Sequence, residues 1–203
     1  MKTISYFFLA TIFFASILSC NTNYTVDKKR GYYKIDFPEK QYRLFDQPGY
    51  PYSFEYPVYA NVIKDSTFFD NKPENDWWIN IDFPQFHGRV FVSYKEIGKN
   101  KFDSLINDAF TMSYKQHVQK ASSIEPRPFR TPNNVDGIYF TLEGETATAN
   151  QFFLTDSVKH FLRGALYFDA TPNEDSLSIV NDFFKKRSPI HDKYPEVEIN
   201  LAE

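Results

Sequence analysis

The sequence predicts an α+β fold, a mostly antiparallel central sheet with helices packed against it as a sandwich. Three observations lead there. Several segments alternate apolar and polar residues with period two, separated by Pro, Gly, Asn and Asp. Two others, one from Asn100 and one after Pro172, repeat their apolar residues at helical spacing. The chain also carries 22 Phe and 14 Tyr in 203 residues, ample aromatic area to fill a core between layers.

The first element is not part of that fold. Met1-Lys2 opens the chain with positive charge, and Ile4 to Leu18 is apolar and uncharged. That run is shorter than the roughly 20 residues of a membrane span and matches a signal-peptide core. It ends at Leu18-Ser19-Cys20, an apolar residue, a small residue and then the only cysteine, which is a lipobox pattern. Residues 1–19 are therefore expected to be a lipoprotein signal peptide and Cys20 the lipidated residue. Lipidation of Cys20 would exclude a disulfide, a Cys nucleophile and a thiolate metal site. Residues 20–31 are polar, lack periodicity and are expected to be a flexible tether. Asn21-Thr22-Asn23 offers neither an Asp after the lipid site nor an acidic run, so the expected location is the cell envelope, lipid-anchored, on the periplasmic face of the outer membrane.

A single globular domain is expected over 32–187. Tyr52, Phe54 and Tyr56 alternate with Ser53 and Glu55 in a strand closed by Pro57. Trp77, Ile79, Ile81 and Phe83 share one face of the next strand and Trp78, Asn80 and Asp82 the other; PQFHG then turns into Val90, Val92 and Tyr94. Asn100 is expected to cap a helix carrying Phe102, Leu105, Ile106, Ala109, Phe110 and Ser113 and reaching towards His117 and Ala121, before Pro126. His117 near a helix C-terminus would have its charged form favoured. Strands follow at 135–144, 148–155 and 159–168, and then a last helix whose acidic start and basic end suit its dipole. The order is β-β-β-α-β-β-β-α, and with the early F-x-Y-P strand it is similar to the PsbP/Mog1-like fold. Residues 188–203 are expected to be a polar tail.

Function turns on QFFLTDSVKHFLRGALYF, residues 151–168. Period two places His160, Leu162, Gly164, Leu166 and Phe168 on one face and Phe161, Arg163, Ala165 and Tyr167 on the other. His160 and Arg163 thus diverge. Asp156-Ser157 occupies a turn, where such side chains bond nearby N–H groups. No G-x-S-x-G elbow accompanies Ser157. A hydrolase built on Ser157, His160 and Asp156 is the outlying alternative; the expected reading is a hairpin turn with His160 bonded to Asp156 or a carbonyl. Arg163 is expected to stack on Phe161 or Tyr167 or to pair with a carboxylate. Gly164 is expected to let neighbouring structure approach.

Other chemistry is sparse. A net charge of −3 and no basic stripe speak against nucleic-acid binding. His87, His117, His160 and His191 form no H-x-x-x-H or H-E-x-x-H spacing, and no Gly-rich phosphate loop is present. No metal, cofactor or catalytic residue is expected, and the chain is not expected to be an enzyme. A second alternative is a glycan- or peptide-binding lipoprotein using Trp78 or exposed tyrosines. Arg127, Pro128, Phe129 and Arg130, placed in a Pro-rich loop, have the residue types of interface anchors.

GYYKIDFPEK (31–40), YPYSFEYP (50–57), WINIDFP (78–84), residues 151–168 and PNEDSL (172–177) together resemble the gliding motility lipoprotein GldD family of Bacteroidetes. The resemblance fades after Lys186. It implies an accessory lipoprotein of gliding and type IX secretion, acting by protein–protein interaction with other envelope lipoproteins, and it carries over no catalytic residue. Trp78, Arg127, Phe129, Arg130, Asp156, His160 and Arg163 are the candidate contacts with a partner or ligand.

Overall fold

The structure, a computed structural model, describes residues 34–66, 72–169, 174–187 and 199–201. The chain divides into two compact units, Met1–Ile35 and Asp36–Glu203, and every element described lies in the second. Cys20 and the expected signal and tether segments fall outside the described residues.

In chain order the elements are β1 (Tyr42–Phe45), β2 (Tyr52–Pro57), β3 (Asn61–Lys64), β4 (Ile79–Phe83), β5 (Gly88–Glu96), α1 (Phe102–Tyr114), β6 (Ala121–Arg130), β7 (Asp136–Gly144), β8 (Asn150–Thr155), β9 (His160–Phe168), α2 (Glu174–Arg187) and β10 (Ile199–Leu201). Among the described residues one sheet has seven strands in the order β3-β4-β5-β9-β8-β7-β6; the other has three, β1-β2-β10. All strand pairs are antiparallel. The α+β sandwich expected from the alternation is the fold observed.

β9 is the central strand of the large sheet, and its period-two pattern builds both cores. Leu162 joins Ile79, Val92, Tyr94 and Leu154 against Phe45, Tyr52 and Phe54 of the small sheet. Phe161, one residue earlier, joins Phe140, Leu142 and Phe153 beneath Leu105 and Ala109 of α1. Each such side chain contributes about 1.5–3 kcal/mol when fully buried, which is why neither face of this strand has room for solvated polar groups. α2 shares the small sheet's side: Phe183 stacks on Phe37 at 4.3 Å between centroids, and Phe184 meets Phe83 edge-on at 4.7 Å.

Four expectations need correction. Asn100 does not cap α1; Lys101 is the cap residue and makes no side-chain bond, while the Asn100 amide donates to Glu74 and to the Glu96 carbonyl. α1 stops before Pro126 as expected, but ends at Tyr114 rather than reaching Ala121, where β6 begins. The RPFR stretch is therefore an edge strand and not a loop. An edge strand tolerates Pro126 and Pro128 when their nitrogens sit on the unpaired side, and the register meets that condition by leaving the odd-numbered residues to bond β7. Finally, Ile199–Leu201, inside the expected polar tail, pairs with Tyr52–Phe54 of β2.

Gly164 admits an aromatic ring. It lies opposite Phe152 on β8, and a Cβ on residue 164 would stand 2.2 Å from Phe152 Cζ. Gly164→Ala is expected to destabilise the protein by about 1–3 kcal/mol through overpacking. Adding Phe152→Leu should recover much of the loss, a non-additivity that urea denaturation of the two single variants and the double variant measures.

Candidate functional site

The β8–β9 turn is built by one carboxylate. Asp156 Oδ1 accepts the backbone N–H groups of Val158, Lys159 and His160 at 2.9, 2.9 and 2.8 Å. Thr155 Oγ1 accepts the Ser157 N–H at 2.9 Å and donates to the His160 carbonyl at 2.8 Å. Burial opposes the charge on Asp156, but the three N–H donors and His160 outweigh it and hold the carboxyl below its usual range. Ser157 is exposed at the tip with a left-handed φ of 63°.

His160 turns inward from this turn. Its Nδ1 lies 2.6 Å from the Tyr94 hydroxyl, and its Nε2 lies 4.0 Å from Asp156 Oδ2. The tautomer with its proton on Nε2 lets Nδ1 accept the Tyr94 O–H and aims the N–H at the carboxylate. Tyr94 is 1% exposed, and burial first, with Glu96 and Asp156 nearby, pushes its phenol up to about 12. The expected His160–Asp156 link is thus made by the His160 backbone, while the ring serves Tyr94. Ser157, His160 and Asp156 do not line up as nucleophile, base and orienting acid, since the ring nitrogen a serine would need is committed to the tyrosine.

Arg163 lies on the other face, as period two requires. It neither stacks nor finds a carboxylate among the described residues; its Nη2 donates to Gln151 Oε1 at 2.6 Å. The same oxygen accepts from Ser113 Oγ of α1 at 3.2 Å, and Gln151 Nε2 is buried without a partner. Burial, and then the Arg163 charge, lower the His117 pKa, so the expected charged His117 is replaced by a neutral one. Burial raises the Tyr167 phenol, with Arg163 opposing. Gln151, Ser113 and the His117–Arg163 pairing escaped sequence reasoning. A polar residue in phase with Phe153 on β8 was the available signal for Gln151, but its partners sit on other elements.

The remaining candidates are scattered. Trp78 is half-buried against the core, and its Nε1 donates to the Tyr94 carbonyl at 2.8 Å. Trp77 also packs there, with Nε1 on the Gly49 carbonyl at 2.7 Å. On β6, Arg130 forks onto Asp136 at 2.6 and 2.8 Å, and Arg127 lies 3.5 Å from Glu125. Phe129 turns inward and its ring covers Gly137. Among the described residues no three His, Cys, Asp or Glu side chains group as metal ligands, and no helix is long and apolar enough to cross a membrane.

The gliding motility lipoprotein GldD family matches residues 22–188, which among the described elements includes α1, α2 and every strand but β10. The chain belongs to this family. No curated protein sequence matches it. Among solved structures, this GldD-family chain is similar to the solution structure of cyanobacterial PsbP (CyanoP) from Synechocystis sp. PCC 6803, at 10% identity and a TM-score of 0.44, covering 79% of this chain and 92% of that one.

Two outcomes are expected of the GldD-family domain. Asp156→Ala should cost about 2 kcal/mol at pH 7, because three N–H donors lose an ionised acceptor, whereas Ser157→Gly should stabilise by about 1 kcal/mol by relieving the left-handed residue; thermal denaturation compares them. The depressed His117 pKa contributes stability that is present above the unfolded value of 6.5 and is lost as pH falls through the folded value. His117→Gln should flatten that part of the stability curve, and Arg163→Met should raise the His117 titration midpoint seen by NMR.

Proposed function

We propose that this chain is a lipid-anchored accessory protein of the gliding motility and type IX secretion machinery. It works by protein–protein contact with other envelope lipoproteins, from the periplasmic face of the outer membrane. The observation that carries the reading is the family match, which begins at residue 22, just after Cys20, and runs through the folded domain. Geometry supports it: Asp156, Thr155 and the His160 ring of the β8–β9 hairpin are engaged in turn and core bonds, and His160 and Arg163 face opposite layers. Cys20 holds the lipid, and 20–31 is the tether that lets the domain over 32–187 reach a partner. Arg127 and Arg130, exposed on β6, are the contacts this reading places towards that partner.

Deletion of the gene should block export of type IX cargo and, in a gliding host, colony spreading. Wild-type chain should restore both, Cys20→Ala should release the protein from the membrane fraction and fail to restore them, and Ser157→Ala should restore them fully. Normal cargo export in the deletion strain would remove the proposal. Crosslinking in intact cells followed by capture should recover an envelope lipoprotein, with recovery reduced by Arg127→Ala/Arg130→Ala.

A further inference from the structure

Between the β7–β8 hairpin and α2 lies a cavity of about 140 Å³ that the motility reading does not use. A single water needs only on the order of 10–15 Å³ measured this way, so the space holds a small ring as well as solvent. Its walls include Thr141, Glu143, Asn150, Phe168, Asn181 and Asp182.

The walls are stiff before any ligand arrives. In the hairpin loop Thr146 Oγ1 donates to the Thr148 carbonyl at 3.0 Å, Thr148 Oγ1 donates to the Asn150 carbonyl at 3.2 Å, and the Leu142 N–H donates to the Ala149 carbonyl at 2.8 Å. Asn150 is held from both sides: its Oδ1 accepts from the Tyr139 hydroxyl at 2.7 Å, and its Nδ2 donates to Asn181 Oδ1 at 3.4 Å. Pre-organisation of this kind lowers the ordering cost of binding.

The groups left over define the ligand. Asn181 spends its oxygen on Asn150 and keeps its N–H donors. Glu143 and Asp182, both exposed at the rim, offer only acceptors. No Lys, Arg or His lines the cavity among the described residues, so an anion would meet two carboxylates and no cation. Phe168 adds one apolar ring. Donors, acceptors and an aromatic face together match a molecule whose every polar group both donates and accepts and whose ring C–H edges are apolar. We propose that this cavity binds an uncharged, polyhydroxylated ring, the chemistry of a single sugar unit. The site is remote from Trp78, where the sequence had suggested a sugar platform, and it stands or falls separately from the motility reading.

Saturation-transfer NMR on the purified full chain tests it, with glucose, N-acetylglucosamine, its 1-phosphate and a β-linked N-acetylglucosamine trimer at millimolar concentration. A neutral monosaccharide should receive saturation, and the phosphate should not. Transfer to the end unit of the trimer as well would identify a chain terminus as the source; transfer to the monosaccharides alone would identify a free sugar. Asn181→Ala and Asp182→Asn should each weaken binding about fivefold to tenfold. Asp182→Asn should melt at the wild-type temperature, since its carboxylate is exposed at the rim, so lost binding cannot be ascribed to unfolding. The proposal is overturned if no neutral sugar receives saturation, if the phosphate binds equally well, or if both variants bind as the wild type does.

Discussion

The hydrogen bond between the Tyr94 hydroxyl and His160 is the interaction around which this domain is arranged. Tyr94 sits between two sheets at 1% exposure, touching Tyr52 of the small sheet and Trp77 edge-on at 5.3 Å. A phenol so placed contributes a large apolar surface only if its hydroxyl is bonded, because an orphan there would cancel much of the gain. His160 supplies the bond, and the Asp156 turn fixes where His160 enters β9. The Tyr94 carbonyl accepts the Trp78 indole at 2.8 Å and the Asn75 amide at 2.9 Å. One side chain and its backbone thus tie β5 to β9, to the hairpin turn, to the segment entering β4 and to the second sheet.

Legibility in the sequence followed the range of the interactions. Period two alone separated His160 from Arg163 and placed Leu162 and Phe161 in different layers, because alternation along one strand is a local property. The strand from 121 to 130 was missed for an equally physical reason: two prolines argue against a strand unless it is known to be an edge, and edge position depends on the whole sheet order. β10 was missed because three residues after a long polar stretch carry little pattern. The partner of Arg163 was out of reach since Gln151, itself bonded by Ser113, meets it only once β8, β9 and α1 are assembled. His117 shows the same limit: the helix end favoured its charge, and burial beside a guanidinium reversed the sign.

The two faces of β9 also divide the chemistry. The His160 side is packed with aromatic rings and closed by the small sheet, so its polar atoms serve the fold. The Arg163 side holds a cation bonded to a neutral amide beneath α1, with Gln151 Nε2 still unbonded. That surplus of donors beneath the helix contrasts with the surplus of acceptors at the cavity rim on the opposite layer.

The prolines of β6 bear on life at a membrane surface. Proteins held by lipid in a plane encounter their own copies far more often than the same number free in solution. A long outer strand with every amide available would, under such crowding, recruit an identical strand and polymerise. Pro126 and Pro128 delete two of the donors that such stacking needs. This margin of the sheet is therefore a poor template for an identical strand, and crowding in a plane does not by itself lead the domain to polymerise.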